Sequence, residues 1–128
     1  MKGARAYAQT QKQTASKERL MVLLFEAALK HMLAGATALE AGHPGEGSAA
    51  LLKASDIVLE LSGSLDMNRA PELGQTLKDL YIFVNARLMK ASATHEASAA
   101  REAVRVFSPI ADAFSQVVSQ LAAAPAAP

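Results

Sequence analysis

Residues 73–91 read Leu73-Gly-Gln-Thr-Leu77-Lys-Asp-Leu80-Tyr81-Ile82-Phe83-Val84-Asn85-Ala86-Arg87-Leu88-Met89-Lys90-Ala91. Leu73, Leu77, Leu80, Tyr81, Val84, Leu88 and Ala91 recur almost wholly at steps of three and four. That is the period of an α-helix with one apolar face, and it marks a core stripe. Ile82, Ala86 and Met89 repeat at the same steps on roughly the opposite side, where a helix of a simple bundle has no use for them. Pro71 falls in the first turn, where a missing N–H costs little. The spacing predicts a helix from Arg69 to Ser92.

The same pattern extends outward in both directions. Upstream, a helix is predicted from Ser48 to Leu65, with Leu51, Ala54, Ile57, Val58, Leu61 and Leu65 on its main face. Leu52 and Leu59, one heptad apart, stand to one side of it. Ser64-Leu65-Asp66-Met67-Asn68 then makes the turn between the two helices. Further upstream a helix is expected from Ser16 to Ala41, with Ser16 as N-cap and Glu18 in the positive first turn. It stops at Ala41-Gly-His-Pro-Gly-Glu-Gly47, a cluster of breakers. Its polar stripe is only Arg19, Glu26, Lys30 and Thr37, so its apolar face is wider than three neighbours can cover. Downstream, Ala100, Ala103, Phe107, Ile110, Phe114, Val117 and Leu121 keep helical phase through Pro109. They predict one kinked helix from His95 to Leu121.

Roughly a fifth of the residues are alanine, the best helix former, and strand-favouring residues are scarce. At 128 residues and 13.4 kDa the chain is one domain. The expected fold is all-α: an antiparallel four-helix bundle over 16–121, a flexible N-terminal arm over 1–15 and a disordered Ala/Pro tail over 122–128. Tyr7 is the arm's single large apolar side chain and its expected anchor on the bundle.

Several function classes drop out. There are no cysteines, so no disulfide scaffold, thiol nucleophile or Cys-based metal site is expected. His31, His43 and His95 lack metal-site spacing. His31, four residues before Gly35, could suggest a phosphotransfer histidine, but it falls in the apolar sector and reads as a partly buried structural residue. Asp56 and Glu60 lie on a polar face beside Lys53, as solvated charges do. No phosphate loop, nucleophile elbow or His–carboxylate motif is present. No enzyme and no cofactor is expected. A formal charge of +1 gives no basis for nucleic-acid binding. The longest apolar run, Leu20–Phe25, is far below the ~20 residues of a membrane span, so no membrane insertion is expected. The N-terminus has no apolar h-region, so it is not read as a secretory signal, and cytosol is the expected compartment.

The surplus stripes, Leu52/Leu59 and Ile82/Ala86/Met89, have the pattern of a groove for a partner's amphipathic helix. The residues leave a second reading open, a helical signalling or dimerisation module that self-associates through the same surface.

Three blocks resemble the flagellar export chaperone family, FliS. Ala6-Tyr7 with Thr14-Ala15-Ser16 resembles its N-terminal signature. Leu20-Met-Val-Leu-Leu-Phe25-Glu-Ala-Ala-Leu29-Lys30 resembles its first helix. Leu59-Glu-Leu-Ser-Gly-Ser-Leu65-Asp66, Leu77-Lys-Asp-Leu80-Tyr81 and Arg87-Leu88-Met-Lys-Ala91 are similar to its Ser-Leu-Asp turn and third helix. Lys17, Arg19, Ala70-Pro71 and Phe83 depart from the pattern. The resemblance implies a cytosolic helical bundle that binds the C-terminal segment of flagellin, keeps it from polymerising early and supports its export. It implies a monomer or weak homodimer that also meets export-gate components. Tyr7, Leu52, Leu59, Ile82, Ala86 and Met89 are the candidate partner-binding residues.

Overall fold

Four helices, α1 (Lys2–Glu40), α2 (Pro44–Gly63), α3 (Pro71–Thr94) and α4 (Ala97–Ala123), make up the chain in the computed structural model. It describes the backbone of residues 2–123 and the side chains of residues 17–122. Each helix packs on its sequence neighbours, and α4 closes the ring against α1. Short connections and end-to-end contacts, such as Ser48 with Ser92 and Glu40 with Arg101, make neighbouring helices antiparallel.

The centre of the core is where the periodicities put it. Phe25, Met32, Leu51, Val58, Leu61, Tyr81, Val84, Leu88 and Phe107 are buried, with buried alanines among them. Phe107 is the hub: its ring centroid lies 5.6 Å from that of Phe25 and 6.5 Å from that of Tyr81. Phe114 extends the cluster at 4.9 Å from Phe25. By length and composition the Lys17–Glu40 part of α1 could cross a membrane. Its Phe25, Ala28, Met32 and Ala36 are spent instead on the bundle core.

The helix boundaries correct the sequence reading in several places. Helical backbone begins at Lys2, not Ser16, so Ser16 is no N-cap and the stretch taken as an arm continues α1. Its Ala, Gln and Lys content has high helix propensity and holds no breaker after Gly3. The docking expected of Tyr7 lies outside the described residues. Of the tail expected over 122–128, Ala122 and Ala123 instead continue α4, and 124–128 lie outside the described residues. α1 ends in a Schellman motif: Gly42, at φ +81, is left-handed, and the N–H groups of Gly42 and His43 donate to the Leu39 and Ala38 carbonyls. α2 begins at Pro44, four residues earlier than expected, because proline is preset for the first helical position and Glu46 suits the first turn. The chain between α2 and α3 turns through an Asx contact, Asn68 N–H to Asp66 Oδ1 at 3.1 Å. α4 starts at Ala97, after His95 takes a left-handed conformation at φ 62.

α4 runs unbroken through Pro109. The ring removes the N–H that would pair with the Arg105 carbonyl, and Pro109 is exposed. Pro109→Ala should therefore stabilise the fold by about 1–2 kcal/mol, part of the ~3 kcal/mol intrinsic penalty of proline in a helix. Chemical denaturation would show it, and a destabilised variant would mean that the proline fits a bend the bundle needs.

The ion pair between Arg101 Nη2 and Glu40 Oε1, at 2.6 Å, ties the start of α4 to the end of α1. The guanidinium hydrogen bond holds the Glu40 carboxyl below its ordinary value. Its contribution is present above the usual carboxylate range and fades as pH falls through the lowered value. Both partners are exposed, so the contribution is small.

Candidate functional site

The two surplus stripes are at the surface. Leu52, Leu59, Ile82 and Met89 are 44%, 56%, 58% and 45% exposed, fractions too large for core residues, and Ala86 is exposed as well. Leu59, Ile82 and Ala86 meet in one pocket of about 220 Å³ between α2 and α3, whose remaining wall includes Val58, Ser62, Tyr81 and Asn85. Met89 joins the same edge, its Sδ 3.8 Å from the Oγ of Ser55 on α2. Leu52 lies two turns before Leu59 on the same side of α2, outside this pocket. The stripe of Ile82, Ala86 and Met89 therefore leans toward α2; it does not point straight away from the core as the helical wheel suggested.

A polar seam fixes how α2 and α3 face each other. Ser48 Oγ donates to the Ser92 carbonyl at 2.9 Å, and one heptad further on, buried Ser55 donates to Asn85 Oδ1. Small serines let the helices approach, and each bond satisfies a group that packing would otherwise strand. Above this seam the apolar residues form two rims of a shallow groove.

A second apolar surface was not anticipated. Leu73, Val117 and Leu121, expected in the core, are exposed, while Ile110 and Phe114 are only half-buried. Phe114 is level with the α2–α3 turn, sharing a pocket wall with Ser64 and Arg69. The last turns of α4 therefore lie at the end of the bundle that holds the α2–α3 turn, where its apolar stripe is only partly covered. Leu77, Tyr81, Pro109, Ile110 and Val117 line a pocket of about 390 Å³ between α3 and α4, floored by Phe25. Tyr81 borders both this pocket and the α2–α3 groove. On α1, Leu20, Leu23 and Leu33 are exposed, in keeping with its overly wide apolar face.

The chemistry these surfaces offer is apolar packing. Burial pushes the Tyr81 hydroxyl up to about 12, so it stays protonated at neutral pH. Among the described residues no three His, Cys, Asp or Glu side chains cluster as metal ligands. His31 is half-buried.

A family model described as "Flagellar protein FliS" matches residues 1–121. The chain is also similar to the flagellar secretion chaperone FliS of Salmonella typhimurium (strain LT2), with 31% identity over 120 residues. That alignment covers 90% of this chain and 89% of the relative. A whole-length family match, an all-helical bundle and a surface built for apolar contact agree: the chain belongs to the FliS family of flagellar secretion chaperones.

Proposed function

We propose that this protein is a cytoplasmic chaperone for flagellin, which seats the C-terminal segment of its client in the groove between α2 and α3. Covering that segment keeps it from polymerising before export. The observation that carries this reading is the pairing of two exposed apolar rows across one groove, Leu52 and Leu59 on α2 facing Ile82 and Met89 on α3. Within each row the residues are one heptad apart, about 10 Å along a helix, which matches the i, i+7 anchors of a docked amphipathic helix. The α3–α4 pocket gives a longer client a second seat around Tyr81.

Titration calorimetry with a peptide of the cognate flagellin C-terminus tests the proposal. Saturable binding by a chaperone monomer supports it. No heat of binding, or a stable chaperone dimer that buries Ile82 and Met89, overturns it in favour of self-association. Ile82→Asp and Met89→Asp should each change stability by less than about 0.5 kcal/mol, as exposed substitutions do. Each should weaken peptide binding by more than about 1 kcal/mol, because a charge is desolvated against an apolar helix face. Normal melting with normal binding would move the principal seat to the α3–α4 pocket, where Val117→Asp then becomes the disruptive change.

A further inference from the structure

The α2–α3 groove is not wholly apolar, and its polar element is Asn85. This residue lies three positions after Ile82 and four before Met89, on the same edge of α3. Its carboxamide oxygen accepts from buried Ser55, which fixes the side chain against the seam. A carboxamide also carries two N–H donors. Among the described residues neither has a partner, and Asn85 borders the pocket beside Leu59, Ile82 and Ala86. A purely apolar segment pressed onto that pocket would strip water from those donors and leave them unsatisfied.

We infer that Asn85 sets the register of the docked client by donating to a Gln or Glu side chain placed between two apolar anchors one heptad apart. The pocket selects that chemistry. Leu59 and Ile82 bring apolar surface to its 220 Å³ and Asn85 brings the polar group, which suits an apolar stem ending in an sp² oxygen. The physical logic is that of a single polar residue in a coiled-coil seam: it adds little affinity over a good apolar contact but penalises every shifted alignment. The inference rests on the groove being the client's seat.

The test is a double-mutant cycle read by calorimetry. Wild type, Asn85→Ala, Asn85→Asp and Ser55→Ala are titrated with the flagellin C-terminal peptide, then with peptides in which each Gln or Glu is replaced by Ala in turn. Asn85→Ala should weaken binding about tenfold, the scale of one well-placed hydrogen bond with its desolvation. It should lose nothing further against one particular substituted peptide. Asn85→Asp still accepts from Ser55 but has no N–H to give, and should weaken binding comparably. Ser55→Ala leaves the donors in place and should stay within about twofold of wild type. Wild-type binding with no coupled peptide position, or Asn85→Ala binding as tightly as wild type, overturns the role of Asn85 and leaves the groove intact. Should the Asn85 variants fold poorly, the peptide series against wild type still decides: no single Gln or Glu replacement that weakens binding overturns the inference. Absence of any binding by wild type overturns the groove reading together with it.

Discussion

Phe107→Ala is expected to cost about 3–5 kcal/mol of folding free energy, the range for truncating a fully buried aromatic. Domains of this kind hold only about 5–15 kcal/mol in total, so the variant should sit near the edge of folding at 37 °C. The physical case rests on what surrounds the ring. Phe107 is completely inaccessible, and it touches the rings of Phe25 on α1 and Tyr81 on α3. Those partners are held by two different helices, so the cavity cannot close by a shift of one side chain. Phe114→Ala removes the same chemistry from a half-buried position at the end of the bundle, and should cost about half as much. Urea unfolding of both variants gives the comparison. A loss below about 1.5 kcal/mol for Phe107, or a larger loss for Phe114, would place the centre of the core elsewhere.

Phe107 also shows what could be read from the sequence and what could not. Its place in a run of threes and fours marked it as core, as the same pattern did for Leu51, Val58, Leu61, Tyr81, Val84 and Leu88. Periodicity reports which face of a helix is apolar. It does not report how completely the neighbouring helices cover that face, and so Leu73, Val117 and Leu121 keep the phase of the core yet lie exposed. The α3–α4 pocket was hidden by the same error, because its walls were assigned to the interior. The α2–α3 stripes were visible as surplus apolar positions. That Leu59 and Ile82 share one pocket depends on the rotation of each helix, which the Ser48–Ser92 and Ser55–Asn85 bonds settle in three dimensions. Asn85 gives no signal in the sequence, because a lone asparagine in a helix is uninformative until its neighbours are known. The start of α1 was misplaced for a different reason. A polar, alanine-rich stretch with no apolar face can be helix or coil by pattern, and only its propensity favoured helix.

Gly47 sits in a cluster of breakers in the sequence, and together with Gly35 it decides how closely α1 and α2 pack. A Cβ built on Gly35 would lie 2.6 Å from Cγ and Cδ2 of Leu51 and 3.2 Å from the Gly47 carbonyl oxygen. A Cβ on Gly47 would lie 2.6 Å from Leu39 Cδ2 and 3.2 Å from the Gly35 carbonyl oxygen. The two glycines thus let α1 and α2 touch backbone to backbone just beyond their connecting turn. Leu51 is fully buried, so moving it aside means displacing core side chains packed against it. Helix propensity alone favours Gly35→Ala by about 1 kcal/mol, but overpacking costs about 1–3 kcal/mol and should win. Gly35→Ala is therefore expected to destabilise by about 1 kcal/mol. Gly35→Val, with two further methyl groups against the same wall, should cost about 3 kcal/mol, the upper end of that overpacking range. Gly45 supplies the control: nothing lies within 4 Å of its notional Cβ, and its φ is not positive. Gly45→Ala should then raise stability by about 0.4–1 kcal/mol through loss of unfolded-state freedom. Thermal melts followed by circular dichroism would rank the three variants. Equal gains at Gly35 and Gly45 would show that α1 and α2 do not meet this closely in solution; a drop at Gly35 beside a gain at Gly45 is the signature of packing overriding propensity.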